Sequence, residues 1–337
     1  MKTKKLSTIA RIWLIVLLGL FASKSFANAY AISGPYTKNN LSMYLIHGQD
    51  TVKDQAFLTL GEAMQQKKVK VYETSKVNQL SIENVSQNEY IYIEAGDIVK
   101  GGKQDRVFSN DMVLEPRSGK VDIASFCVEH GRWSQRAGES ANQFHSSTKK
   151  LASKQLRLAA RLKRDQSEVW QEVAKVQEKL GASVGQDVTA KESTSSLQLT
   201  LENKQLSAKL SEYKSAFLHL LANQQHVIGY AFAINGQLNT ADIFANQVLL
   251  KKLWPKIVDA AATESVSEYD KSLSIQTPKP KSVQVWLKQA EQGKKSTRQL
   301  KPGLTQETVE SGQDVRFDTY SVEGGTKKLY RKNYIKK

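Results

Sequence analysis

The sequence is short of cysteine, of acid and of long apolar runs. Its 337 residues include one cysteine, Cys127, so no intramolecular disulfide can form. A chain of this length supplies a core large enough to do without one. Five scattered histidines and a single thiol do not compose a closed zinc site, and no cofactor is expected. Gly96, Gly101 and Gly102 fit neither the GxGxxG nor the P-loop spacing, and there is no GxSxG. Beyond the N-terminus no stretch is long and apolar enough for a membrane helix. No internal repeat is apparent.

Acid is the scarcer charge. Lys and Arg number 49 against 33 Asp and Glu, a formal net charge of +16. Residues 1–27 hold five Lys/Arg and no acid, which leaves about +11 for the rest. Residues 271–337 hold 15 Lys/Arg and 6 Asp/Glu, a net of +9. A basic C-terminal part of this kind, residues 281–337, suits an anionic membrane surface or an anionic cell-wall polymer. Nucleic acid is not expected, because the N-terminus carries an export signal. Lys2, Lys4, Lys5 and Arg11 precede an apolar run over 12–22, too short to span a bilayer. Small-residue patterns follow at Ser25-Phe26-Ala27 and Ala27-Asn28-Ala29. Residues 1–29 are expected to be a signal peptide, and the mature protein periplasmic or extracellular. No cysteine sits at the cleavage region, so lipoprotein processing is not indicated.

Apolar–polar alternation marks strands at 40–46, 69–74, 80–85, 90–95 and 121–126. Residues 106–114 are expected to return as one strand after the Gly101-Gly102 turn. Asp50 or Thr51 is expected to cap a helix running to Gln66. Helices are expected over 149–164, over 165–181 with Asp165 and Glu168 as cap, and over 206–221. Residues 226–234 form an apolar strand, Asn235-Gly236 is a hairpin signal, and 241–263 is a helix interrupted at Pro255. A short helix over 283–292 and strands over 315–320 and 328–330 follow the Thr277-Pro278-Lys279-Pro280 linker. The expected class is α+β: an antiparallel, sandwich-like N-terminal half packed with a helical middle and a hairpin–helix unit. The main domain is placed at 32–265, with its β half at 32–133, its helical middle at 142–225 and the hairpin–helix unit at 226–265. Residues 281–337 are expected as a basic extension.

Residues 96–133 concentrate glycine, ionisable groups, the lone cysteine and a tryptophan. If the flanking strands form a meander about turns near 101–102 and 117–118, Arg106 lies opposite both Asp97 and Glu129. Asp105 then faces His130, and Phe108 faces Cys127. The expected ligand-binding set is Asp97, Gly101, Gly102, Lys103, Gln104, Arg106, Glu129 and Arg132. Its chemistry suits a polar or anionic ligand, through the guanidinium groups and the glycine-turn N–H groups. The same cluster can instead clamp a sheet corner, or supply acid and base groups. Catalytic candidates are Cys127, Glu129 and Asp97. Cys127 ends an apolar strand, as a buried thiol would, and Glu129 and Arg132 pull its pKa in opposite directions. Trp133 is expected to anchor the core.

The blocks 95–106 (Ala95-Gly96-Asp97 through Gly101-Gly102-Lys103-Gln104-Asp105-Arg106) and 127–133 (Cys127-Val128-Glu129-His130-Gly131-Arg132-Trp133) resemble the two signatures of a bacterial domain family. That family is known by its association with ADP-ribosylglycohydrolase and rhodanese-phosphatase proteins. Residues 58–63 and the block from Gly229 to Trp254 are similar to it as well, so the resemblance covers roughly 35–265. It implies no established activity, since the family name records genomic company rather than chemistry. His130 stands where relatives tend to carry glutamine, which weakens a mechanism that needs it as a base. The leading expectation is an exported, non-catalytic binding or interaction protein with a polar pocket around Arg106. A second is a hydrolase-like enzyme using Asp97, Glu129 or Cys127 on a polar or anionic, ADP-ribose-related substrate. A third makes the motif purely architectural.

Overall fold

A computed structural model describes residues 30–136, 139–140 and 143–337. The expected signal peptide lies outside them. In chain order the first elements are β1 (Ala31–Lys38), β2 (Leu41–His47), β3 (Phe57–Thr59), α1 (Leu60–Gln65), β4 (Val69–Lys76), β5 (Gln79–Asn84) and β6 (Tyr90–Ile93). Next come β7 (Asp97–Gly101), β8 (Arg106–Phe108), β9 (Met112–Leu114), β10 (Gly119–Cys127) and β11 (Phe144–Lys150). The helical middle holds α2 (Lys154–Leu158), a π-helical turn (Ala159–Lys163), α3 (Gln166–Val184), α4 (Leu197–Leu201) and α5 (Lys204–Phe217). The chain ends with β12 (Val227–Ile234), β13 (Gln237–Phe244), α6 (Gln247–Ser267), α7 (Pro280–Gln289), β14 (Lys294–Lys301), β15 (Leu304–Glu310), β16 (Asp314–Glu323) and β17 (Thr326–Lys336).

The fold is α+β, with three sheets. The largest has eight antiparallel strands in the order β1-β2-β12-β13-β17-β16-β15-β14. A six-stranded sheet runs β11-β7-β8-β10-β5-β4, and a small third sheet is ordered β3-β6-β9. Both ends of the chain meet in the large sheet: β2 pairs with β12, and β13 pairs with β17. Residues 281–337 are therefore no appended extension. They supply α7 and four of the eight strands, and β17 lies between β13 and β16. The division at 133 fails for the same reason, since β1 and β2 belong to the sheet that the C-terminal strands complete.

Local chemistry explains the ends of several elements. Thr59 and Glu62 form a reciprocal capping box, so α1 starts at Leu60 rather than near Asp50, and 57–59 are a strand. Asp165 caps α3 by accepting from the Glu168 N–H, as its spacing predicts. That helix ends at Gly185, four residues later than expected, where φ is +79°. Asn235 and Gly236 both have positive φ, the geometry of the hairpin joining β12 to β13. β13 occupies the first residues expected to be helical, and α6 then runs through Pro255 as one helix. Burial of nearly every residue from Ile257 to Ser267 holds α6 in place despite the missing N–H.

The core lies on both faces of the large sheet. On one face α7 packs Val283, Trp286 and Leu287 against Tyr44, Ile46, Ala231, Ile243 and Tyr334. On the other, Leu158 and Leu162 from α2 and the π-helical turn cover Val315, Phe317 and Ile335. Among the described residues no helix is long and apolar enough to cross a membrane.

Candidate functional site

Asp105 sets the turn of the 96–133 stretch. Its carboxylate accepts from the Gly101 N–H at 3.0 Å, which closes a loop over 101–105. Gly101 and Gly102 adopt φ of +110° and +58°. A Cβ on Gly101 would meet the Gln143 carbonyl oxygen at 2.5 Å, and one on Gly102 the Phe144 ring at 2.4 Å. These glycines let β11 approach, and their N–H groups are taken by Asp105 and by Gln143 O. They do not form an anion nest.

The longer loop moves the β7–β8 register by two residues, and the β8–β10 register also differs by two from the expected one. Arg106 pairs with Val99 on one side and Cys127 on the other, not with Asp97 and Glu129. A slip of two keeps the face but changes every neighbour. The buried Arg106 guanidinium donates to the carbonyls of Val77 at 2.5 Å and Lys76 at 3.2 Å, and its Nη2 stands 3.3 Å from Glu73. It clamps β8 onto the turn between β4 and β5. Asp97 goes elsewhere: it receives the Glu94 N–H and pairs with Lys256 at 3.0 Å. The expected trio is thus split among three separate ion pairs.

Glu129 and Asp105 form a second ionic cluster with Arg132 and Arg136. Arg132 Nη2 is 2.6 Å from Glu129, and Arg136 Nη2 is 2.7 Å from Asp105. Burial opposes ionisation of Glu129, but hydrogen bonds and the two guanidinium groups outweigh it and hold the carboxyl below its ordinary range. For Asp105 burial wins over Arg136, and the pKa is raised. Gln104 is buried beside them, with its amide donating to Glu129 O at 3.0 Å.

Cys127 is fully buried, and burial pushes its thiol up to about 11. Its backbone N–H and carbonyl are both held by the Gln166 side chain at 2.9 Å. That environment opposes a thiolate nucleophile. His130 is exposed, with its ring edge-on to Trp170 at 4.5 Å. Trp133 is not a core anchor: it is 44% exposed. The chain turns outward at Gly131, where φ is +83°, and carries the indole to the surface. Lys103 Nζ and the Arg106 guanidinium each lie 5.5 Å from the Trp133 ring centroid. Lys103 also reaches Ser75 Oγ at 2.9 Å. The stretch thus has a sealed ionic base and an open rim of Trp133 and Lys103.

Sequence reasoning missed a deeper ionic centre. Arg331 on β17 reaches Asp111 at 2.7 Å, Asp242 at 2.8 Å and Glu94 at 3.0 Å. Arg161 adds a 2.6 Å contact to Asp111, and Lys150 pairs with Glu94. Tyr230 donates to Asp242 at 2.5 Å, and Thr319 to Asp111 at 2.8 Å. All these ionised groups are buried. Burial opposes ionisation of Asp111, yet Arg161 and Arg331 hold its carboxyl well below the usual range. At Glu94 burial prevails and raises the pKa, despite Lys150 and Arg331. Two cavities flank this centre and share Arg157, Arg331 and Asn333 in their linings. Each offers about 10 Å³ to the centre of a water molecule, room for about one. No spacing signal joins Glu94, Asp111, Asp242 and Arg331, because only the sheet topology brings them together. Among the described residues no group of three or more His, Cys, Asp or Glu side chains is placed to hold a metal.

No curated protein and no solved structure matches the chain. A family match covers residues 29–336, far beyond the blocks that first suggested it, and takes in the strand that carries Arg331. The chain belongs to the ARG and Rhodanese-Phosphatase-superfamily-associated Protein (ARPP-1) domain family.

Proposed function

We propose that this is an exported envelope protein that binds a polar or anionic ligand without transforming it. The ligand meets the rim of the 96–133 stretch, and exposed lysines of the C-terminal strands add long-range attraction. One observation carries this reading: an indole 44% exposed, with two cationic groups against its ring, stands on a loop above a buried ionic base. An exposed aromatic beside cations offers a stacking surface and a charge together, and a rigid base lowers the ordering cost of using it. The basic C-terminal part fits the same partners. Lys281, Lys288, Lys294 and Lys295 are exposed, and such charges raise encounter rates with anionic surfaces in a salt-dependent way. The buried, high-pKa Cys127 and the ion-paired Asp97 and Glu129 support binding over hydrolysis.

The test is co-sedimentation with isolated cell-wall polymer and with phosphatidylglycerol vesicles. Trp133→Ala, with an unchanged melting curve, is expected to weaken retention about tenfold, the scale of one buried aromatic contact. Retention equal to wild type on both materials would refute the rim as the binding surface.

A further inference from the structure

Away from the rim, one arginine lacks the acidic partner that its setting calls for. Arg298 sits on β14, the outermost strand of the large sheet, and is half-buried. Among the described residues its side chain makes one hydrogen bond, from Nη2 to Asn110 Oδ1 at 2.5 Å, and has no ion-pair partner. The neighbouring acid is fully used. Asp111 is engaged by Arg161, Arg331, Thr319 and the Ala95 N–H. Arg298 pairs across the strands with Gln306, and Gln306 Oε1 accepts from Arg161 at 3.3 Å. Arg298 reaches the 110–111 turn at Asn110, and Arg161 reaches it at Asp111. Arg164 adds a third positive charge nearby, at the left-handed residue that closes the π-helical turn, where φ is +57°. Burial first, then the Arg164 and Arg161 charges, depress the Arg298 pKa to about 10. On the same face of the sheet, one pair further along, Ser296 stands opposite Thr308 and supplies hydroxyl donors.

We propose that Arg298, with Arg164 and the Ser296 and Thr308 hydroxyls, forms a binding site for a tetrahedral oxyanion of the phosphate class. The planar fork of arginine matches two oxygens of such a group. Asn110 holds the fork by one nitrogen and leaves the others free to donate. A bound dianion supplies the counter-charge that Asp111 cannot. The site is separate from the Trp133 rim and stands or falls independently of it. It gives the basic C-terminal strands a specific contact in place of diffuse attraction.

Two sources carry this chemistry, free phosphate groups and phospholipid headgroups. Calorimetric titration of the protein with inorganic phosphate addresses the first, and flotation with phosphatidylglycerol against phosphatidylcholine vesicles the second. Arg298→Gln is expected to weaken binding about tenfold or more in at least one arm, the scale of a lost charged hydrogen bond. Asn110→Asp guards against a folding artefact. It places a carboxylate against Arg298 inside the protein, so it is expected to abolish oxyanion binding while keeping or raising the unfolding midpoint. Phosphate binding by the wild type that both variants lose assigns a free phosphoryl ligand; a loss seen with phosphatidylglycerol vesicles alone assigns a headgroup. Binding that is absent in wild type, or unchanged in both variants, overturns the proposal.

Discussion

Cys127 and Arg106 show how neighbours decide what a reactive side chain does. Cys127 meets Val77 O at 3.8 Å and has its backbone tied to Gln166, so the thiol is a packed apolar group. Alkylation with a maleimide at pH 8 is expected to leave the native protein unlabelled and to label it fully in denaturant. Native labelling within minutes would contradict the buried-thiol assignment. Arg331 makes the opposite case, a buried charge that cannot be spared. Its loss leaves Glu94, Asp111 and Asp242 with reduced compensation in a buried site. Arg331→Met is expected to cost about 3–5 kcal/mol, as breaking a buried ion pair does, measured as a shift in urea midpoint at constant slope. A shift below about 1 kcal/mol would show that hydration or rearrangement compensates the three carboxylates without Arg331.

At the scale of elements, the legible parts were those with strong local chemistry. Alternation marked β2, β4, β5, β6 and β10, an unbroken apolar run marked β12, and the Asp165 cap and Asn235-Gly236 turn fell where their side chains put them. β11 and β14 were missed because their sequences, FHSSTKK and KKSTRQLK, are polar on both faces. Such strands are specified by their neighbours more than by pattern. The expected strand over 106–114 is two strands in different sheets, parted at the 109–111 turn that delivers Asp111 to Arg331. Register was misread for a related reason. The Asp105–Gly101 contact lengthens the turn, and a turn centre moved by one residue slides the pairing by two. Deleting residues 281–337 therefore tests topology. An insoluble or unfolded product is expected, because the deletion removes four of the eight strands, leaves the β13 edge unpaired and takes Arg331 away. A soluble, cooperatively melting fragment of 30–280 would show that those strands are dispensable.

Over the whole molecule, the charge that dominates the composition divides into two populations. One is internal and balanced, holding the large sheet to the short strands and helices through Arg331, Arg161, Lys150 and Lys256. The other is basic and lies at the surface, at the half-buried Lys103 and at the exposed Lys281, Lys288, Lys294 and Lys295. The outer strands of the large sheet also carry features that deter edge pairing. β1 contains Pro35 and an irregular register, and β14 carries Lys294 and Lys295. The family match spans both populations without naming an activity, so the function must be read from where ligands touch. Hydrogen–deuterium exchange of the protein, with and without solubilised cell-wall polymer, gives that map directly. The account predicts new protection at residues 100–104 and 130–136, with β17 unchanged. Protection confined to other surfaces, or none at saturating polymer, would contradict it.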